Sequence, residues 1–119
     1  MKKFTHSVSA VICFILLPLI SYGLAPEEAA KKVGEEITLE GAAVQVSVTG
    51  VGHVYLNFGE KFPKQIFSVY VRKDNVETIG LDFLKSLTGK PIAVKGKVTE
   101  HEGRPQIIVK KKEEIIEVT

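Results

Sequence analysis

Between Ile37 and Val48 the alternation of side chains changes phase. Ile37, Leu39 and Gly41 share one phase, whereas Val44, Val46 and Val48 share the other. An extended chain points successive side chains to opposite faces, so both sets reach one core only if a residue is inserted between them. The pattern therefore predicts a long first strand with a bulge or kink near Gly41 to Ala43. Such a strand bends enough to serve both halves of a barrel. A glycine at the bend also removes a side chain where barrel walls approach closely.

The rest of the chain supplies the partners this strand needs. A turn at Thr49-Gly50-Val51-Gly52 precedes a second strand, His53 to Phe58, with Val54, Leu56 and Phe58 inward and His53, Tyr55 and Asn57 outward. After a loop from Gly59 to Gln65, a third strand, Ile66 to Arg72, turns Phe67, Val69 and Val71 inward and Ser68, Tyr70 and Arg72 outward. Asp74 then reads as the N-cap of a helix carrying Val76, Ile79, Phe83, Leu84 and Leu87 at helical spacing, with Gly80 its weak point. Thr88-Gly89-Lys90-Pro91 stops that helix. A fourth strand buries Ile92, Val94, Gly96 and Val98 and exposes Lys95 and Lys97. The turn from Glu100 to Arg104 leads into a fifth, Pro105 to Lys110, and Glu114 to Val118 pairs at an edge or closes the barrel. Ahead of all this, Pro26 to Val33 has proline first, acids in its first turn and lysines in its last, suiting a short helix ended by Gly34. Three strands, a helix and two strands make an all-β fold with one helix. That is the order of the OB-fold, a five-stranded Greek-key barrel with its helix between strands three and four.

The first residues carry an address. Lys2 and Lys3 precede an apolar run from Val8 to Ile20, and small residues follow at Ser21-Tyr22-Gly23 and Gly23-Leu24-Ala25. This is the three-part plan of a secretory signal peptide over residues 1–23, cut after Gly23 or after Ala25. Pro26 beside the second bond favours the first. The competing reading is an uncleaved anchor, which would be the chain's only membrane contact; the run is short against a span of about 20 apolar residues and contains Pro18. The expected destination is the periplasm or the exterior. The remaining residues, 24–119, are one domain's length and suffice for a modest core. Removing the leader takes away the only cysteine and two of the 16 basic residues, leaving 14 against 14 acids and no net charge. Charge is unevenly spread: Leu24 to Glu60 holds two lysines and six acids, while Lys61 onward holds twelve basic residues and eight acids. A positive side to the barrel and ordinary solvated strand positions both account for that asymmetry.

Two runs carry a resemblance. Gly89-Lys90-Pro91-Ile92-Ala93-Val94-Lys95-Gly96-Lys97-Val98 with Gly103-Arg104-Pro105-Gln106-Ile107, and Tyr55-Leu56-Asn57-Phe58-Gly59 with Phe62-Pro63 and Phe67, resemble strands of exported bacterial OB-fold domains. The resemblance spans roughly residues 33 to 118. It implies the same barrel, and a nucleic-acid-binding role only by kinship of fold.

The outward face of strands two and three is the candidate site. His53, Tyr55, Asn57, Tyr70 and Arg72 fall there together, and Lys61, Lys64 and Arg104 lie on flanking loops. Tyrosine rings offer stacking surfaces for bases, and arginine pairs with phosphate or stacks. Each residue taken singly is also an ordinary cross-strand packer. Catalysis is not expected. The chain has only two aspartates, Asp74 and Asp82, both on the helix, and Glu100 and Glu102 flank His101 at a hairpin tip. His53 and His101 lack a third ligand at metal spacing, and Gly50-Val51-Gly52 lacks the longer pattern of a phosphate loop. No cofactor or metal is expected. The sequence leaves an exported single-strand or oligonucleotide binder, and an envelope module that docks another exported protein. Net neutrality favours the second and the clustered aromatics the first. A degenerate nuclease is disfavoured by the sparse aspartates.

Overall fold

The computed structural model describes residues 23–118, so residues 1–22 of the expected leader lie outside the described residues. The fold is mostly β. Strands β1 (Glu36–Ala42), β2 (Gln45–Val48), β3 (Val54–Phe58), β4 (Phe67–Val71), β5 (Pro91–His101), β6 (Arg104–Val109) and β7 (Ile115–Glu117) form one curled sheet. Among the described residues three short α-helices join it, α1 (Pro26–Ala29), α2 (Lys73–Ile79) and α3 (Leu81–Ser86), with a 3-10 turn at Lys112–Glu114 before β7.

The phase change appears as the break between β1 and β2. Leu39 on β1 is fully buried, Ala43 in the break is fully buried in the same phase, and Val46 on β2 packs against the same core. Val44 and Val48, expected to share the inward side with Val46, are instead 43% exposed, because the phase shifts only after Ala43 and the short β2 turns one valine to the core. Two backbone bonds fix the bend: Val44 N–H donates to Asn57 O at 2.9 Å, and Gly89 N–H donates to Ala43 O at 2.8 Å. The bent strand serves both halves of the sheet, because β1 pairs with β5 and β2 pairs with β3. Crowding does not require the glycine at Gly41. A methyl there would meet Pro26 at 3.5 Å and Phe58 at 3.7 Å, ordinary contact distances.

The sheet runs β1-β5-β6-β4-β3-β2, with β7 added on β5. Every pair is antiparallel except β4 with β6, the join that brings the hairpin β5–β6 beside the β3–β4 pair. Alternation holds along the strands: Val54, Leu56, Phe58, Phe67, Val69, Val71, Val94, Val98 and Ile107 are all fully buried. Gly96 pairs with Ile37, and a Cβ there would stand 2.6 Å from Ile107 Cγ2.

Two features differ from the five-strand, one-helix expectation. Seven strands are present among the described residues, because the first expected strand divides at its bend and the last segment pairs with β5 as a strand of its own. The expected helix is two helices, divided at Gly80 by a φ of +107° that non-glycine residues avoid. Val76, Ile79, Leu84 and Leu87 still face the core from the two pieces. Asp74 is not the N-cap. Arg72 occupies that position without a capping side-chain bond, and Asp74 falls in the first turn. The N-terminal helix is also shorter than expected and stops at Ala29, before the lysines.

Candidate nucleic-acid interface

Register places the aromatic pair. Tyr55 on β3 lies directly opposite Tyr70 on β4, and both sit on the side away from the core. Their rings stack with centroids 4.7 Å apart and planes 27° apart. The His53 ring meets Tyr70 edge-on at 5.6 Å and 68°. Three adjoining rings thus cover one end of the outer face. Burial raises the Tyr55 hydroxyl above the usual tyrosine pKa, and Tyr70 and Glu102 nearby push the same way.

Not every outward residue is open to a ligand. Asn57 shares the face of Tyr55 but is only 1% exposed. The loop 59–66 folds over it, and its amide is consumed by its neighbours. Asn57 Nδ2 donates to Gln45 Oε1 at 2.8 Å, and Ser68 Oγ donates to Asn57 Oδ1 at 3.0 Å. Gln45 Oε1 also accepts from Phe62 N–H at 2.9 Å, which ties the loop to β2. Asn57 therefore anchors the loop and is corrected from a contact residue to a supporting one. His53 also has a structural task. Its Nδ1 accepts from Lys73 N–H at 2.9 Å and so satisfies one of the free donors at the start of α2.

The loop and the β5–β6 hairpin tip turn this face into two concavities divided by Tyr55. One, of about 360 Å³, is bounded by Tyr55, Phe62 and Arg104, with Gln65, Ser68 and Gln106 among the polar groups along its wall. The other, of about 380 Å³, lies on the Tyr70 side and includes Arg72, Glu100, His101 and Ile108. Arg104 holds the loop from the opposite wall: its Nη1 donates to Pro63 O at 2.8 Å, and its guanidinium carbon stands 5.5 Å from the centre of the Phe62 ring. Lys61 and Lys64 are exposed on the loop and line a separate depression with Val44. The structure thus gathers Tyr55, Tyr70, Arg72 and Arg104 along one face and leaves the two lysines at its margin.

Charge on the face is mixed. Glu100 lines the Tyr70 side and Glu102 the Phe62 side, so acids stand among the arginines. The basic excess of the later half of the chain is not concentrated here. Two contributors escaped the sequence. Phe62 is 64% exposed yet fixed at both its backbone and its ring, and Gln65 lines the cavity beside it. The signal for Phe62 was a large aromatic in a loop beside proline; Gln65 carried none. Among the described residues no group of His, Cys, Asp and Glu side chains is placed to hold a metal ion.

No protein-family model and no curated protein sequence matches the chain. Solved structures do. The chain is similar to OBody AM1L10 bound to hen egg-white lysozyme, with a TM-score of 0.59 and 15% identity over 83% of this chain and 96% of that one. It is also similar to part of asparaginyl-tRNA synthetase from Pyrococcus horikoshii, complexed with asparaginyl-adenylate. There the TM-score is 0.59 and the identity 20%, over 84% of this chain and 23% of that one. A putative aspartyl-tRNA synthetase from Leishmania major Friedlin gives 0.52 and 12%, over 84% and 22%. At these identities the likeness speaks for the fold alone, and the fold it supports is an OB-fold β-barrel.

Proposed function

We propose that the chain is an exported OB-fold binding module that takes single-stranded nucleic acid across β3 and β4, without catalysis of its own. The stacked Tyr55–Tyr70 pair carries this reading: flat rings on an outward sheet face, with a concavity on either side of Tyr55. Bases unstacked from a single strand bind such platforms whatever their identity. Arg72 and Arg104, one on each side, are set to pair with the backbone. The similarity to part of a tRNA synthetase is compatible with a nucleic-acid ligand. Export rests on the leader-like pattern of the first residues, and the proposed location is periplasmic or secreted.

A second reading is a protein-docking module of the envelope. Acids among the arginines of the face favour it, and an OBody of the same fold is bound to lysozyme. A salt series separates the two. Binding of a short fluorescently labelled dT or rU strand is expected to weaken as salt rises, with a shallow slope matching about two phosphate contacts. A protein partner in place of nucleic acid would leave no binding of either strand even at low salt.

A further inference from the structure

We propose that the Gly23–Leu24 peptide bond is a processing site that folding closes: the leader is cut away before the domain folds, and Leu24 then becomes the first paired residue of the sheet. The proposal rests on the export reading above and adds where the cut falls and when it can occur.

Leu24 is built into the domain. It bridges Leu39 in parallel fashion, on the edge of β1 that β5 does not occupy. Leu24 N–H donates to Thr38 O at 2.7 Å, and Leu24 O accepts from Glu40 N–H at 2.8 Å. Its side chain packs against the core. A cut after Ala25 would discard this pairing and reopen the edge of β1. It would also remove Ala25 O, which accepts from Ala29 N–H at 2.8 Å and holds the first turn of α1. A cut after Gly23 keeps all three bonds.

The same contacts shut the bond once the chain has folded. A Cβ on Gly23 would stand 2.6 Å from Thr38 O and 3.0 Å from Glu40 Cβ, so its backbone lies tight against β1. Extended peptides are recognised through their main-chain groups. On the Leu24 side of the bond β1 has taken those groups, and on the Gly23 side β1 blocks the approach. Cutting the folded chain therefore waits on local opening, and its rate falls with the fraction of time the site is open. The step itself is hydrolysis by an envelope peptidase that takes small residues before the bond. Water adds its hydroxyl to the Gly23 carbonyl carbon, the C–N bond breaks, and the proton goes to the Leu24 nitrogen. The new ammonium still donates to Thr38 O, now as a charge-assisted bond.

Two experiments on the full chain test this. In the first, the chain and its Gly23→Ala variant are expressed in an exporting bacterial host, and the intact mass of the product is measured in each fraction. Both are expected outside the cytoplasm with one and the same mass, that of a chain beginning at Leu24, because the altered residue leaves with the leader. A product beginning at Pro26, or an exported chain that keeps its leader, would overturn the proposal and leave export standing. Full chain retained in the cytoplasm would overturn both. In the second, the full chain is made without membranes in mild detergent, allowed to fold, and then given envelope membranes that carry the peptidase. Its comparison is Leu56→Asp, whose charge falls at a fully buried position of β3 and keeps the core from closing. The variant is expected to be cut at least about tenfold faster than the folded parent. Equal rates, or no cutting of either, would overturn the proposal.

Discussion

Gly96→Val is expected to lower stability by about 3 kcal/mol or more, near the upper end for overpacked cores. The reason is local and specific. A Cβ at this point of β5 would lie 2.6 Å from Ile107 Cγ2, a distance real Cβ atoms do not reach. Ile107 is fully buried on the neighbouring strand and β-branched, so its methyl has no easy rotamer to retreat to. Moving the backbone instead would disturb the ladder to β1, where Gly96 faces Ile37. For a domain of this size, 3 kcal/mol is a large part of the whole stability and lowers Tm by roughly 10 °C or more. Thermal and denaturant unfolding check this. Gly96→Ala combined with Ile107→Ala should lose less than the sum of the two single changes, because the second removes the methyl that the first would strike. Simple additivity would mean that β5 and β6 are not packed as described.

Tyr55→Ala with Tyr70→Ala is expected to weaken single-strand binding at least a hundredfold while the protein stays folded. Each base stacked on an aromatic ring contributes about 1–3 kcal/mol, so loss of both rings removes the main favourable contact of the face. The effect on stability should be small. Both side chains are only half-buried, and their mutual stacking is worth about 0.5–1.5 kcal/mol beyond burial. Tyr55→Phe with Tyr70→Phe keeps the rings and should keep most of the affinity. Unchanged binding in the alanine pair would place the site elsewhere.

What the sequence made legible follows from the period of the strand. Alternation located the inward residues of β3, β4 and β5, because one face of each faces a common core and a slip of one residue would expose the whole set. The same rule called for a bend ahead of β2 and set Gly96 inward, but of the valines it grouped after the bend only Val46 packs against the core, while Val44 and Val48 are exposed. It also placed Tyr55 and Tyr70 on one face, and antiparallel register then made them neighbours. Period alone cannot say what covers the other face. Asn57 obeyed the outward phase and was still buried, because a loop tied down by Gln45 and Arg104 lies across it. Those ties join residues 17 and 41 positions apart in sequence, beyond any local pattern. His53 likewise had the expected direction, while its acceptor nitrogen was claimed by a helix start twenty residues on. The division at Gly80 was visible as a weak point in the helix but not as a break, since glycine within a helix is tolerated at a cost of about 1 kcal/mol. Mixed charge on the face escaped notice because Glu100 and Glu102 reach it from the far hairpin.

Amide shift mapping by NMR, with a short dT strand added to the labelled protein at low salt, tests the central claim most directly. The account predicts shifts concentrated on residues 54–58 and 67–72, the loop 59–66 and the hairpin tip 100–106, with β1 and β7 nearly still. Shifts confined to β1, β7 or α1, or none at all, would contradict it.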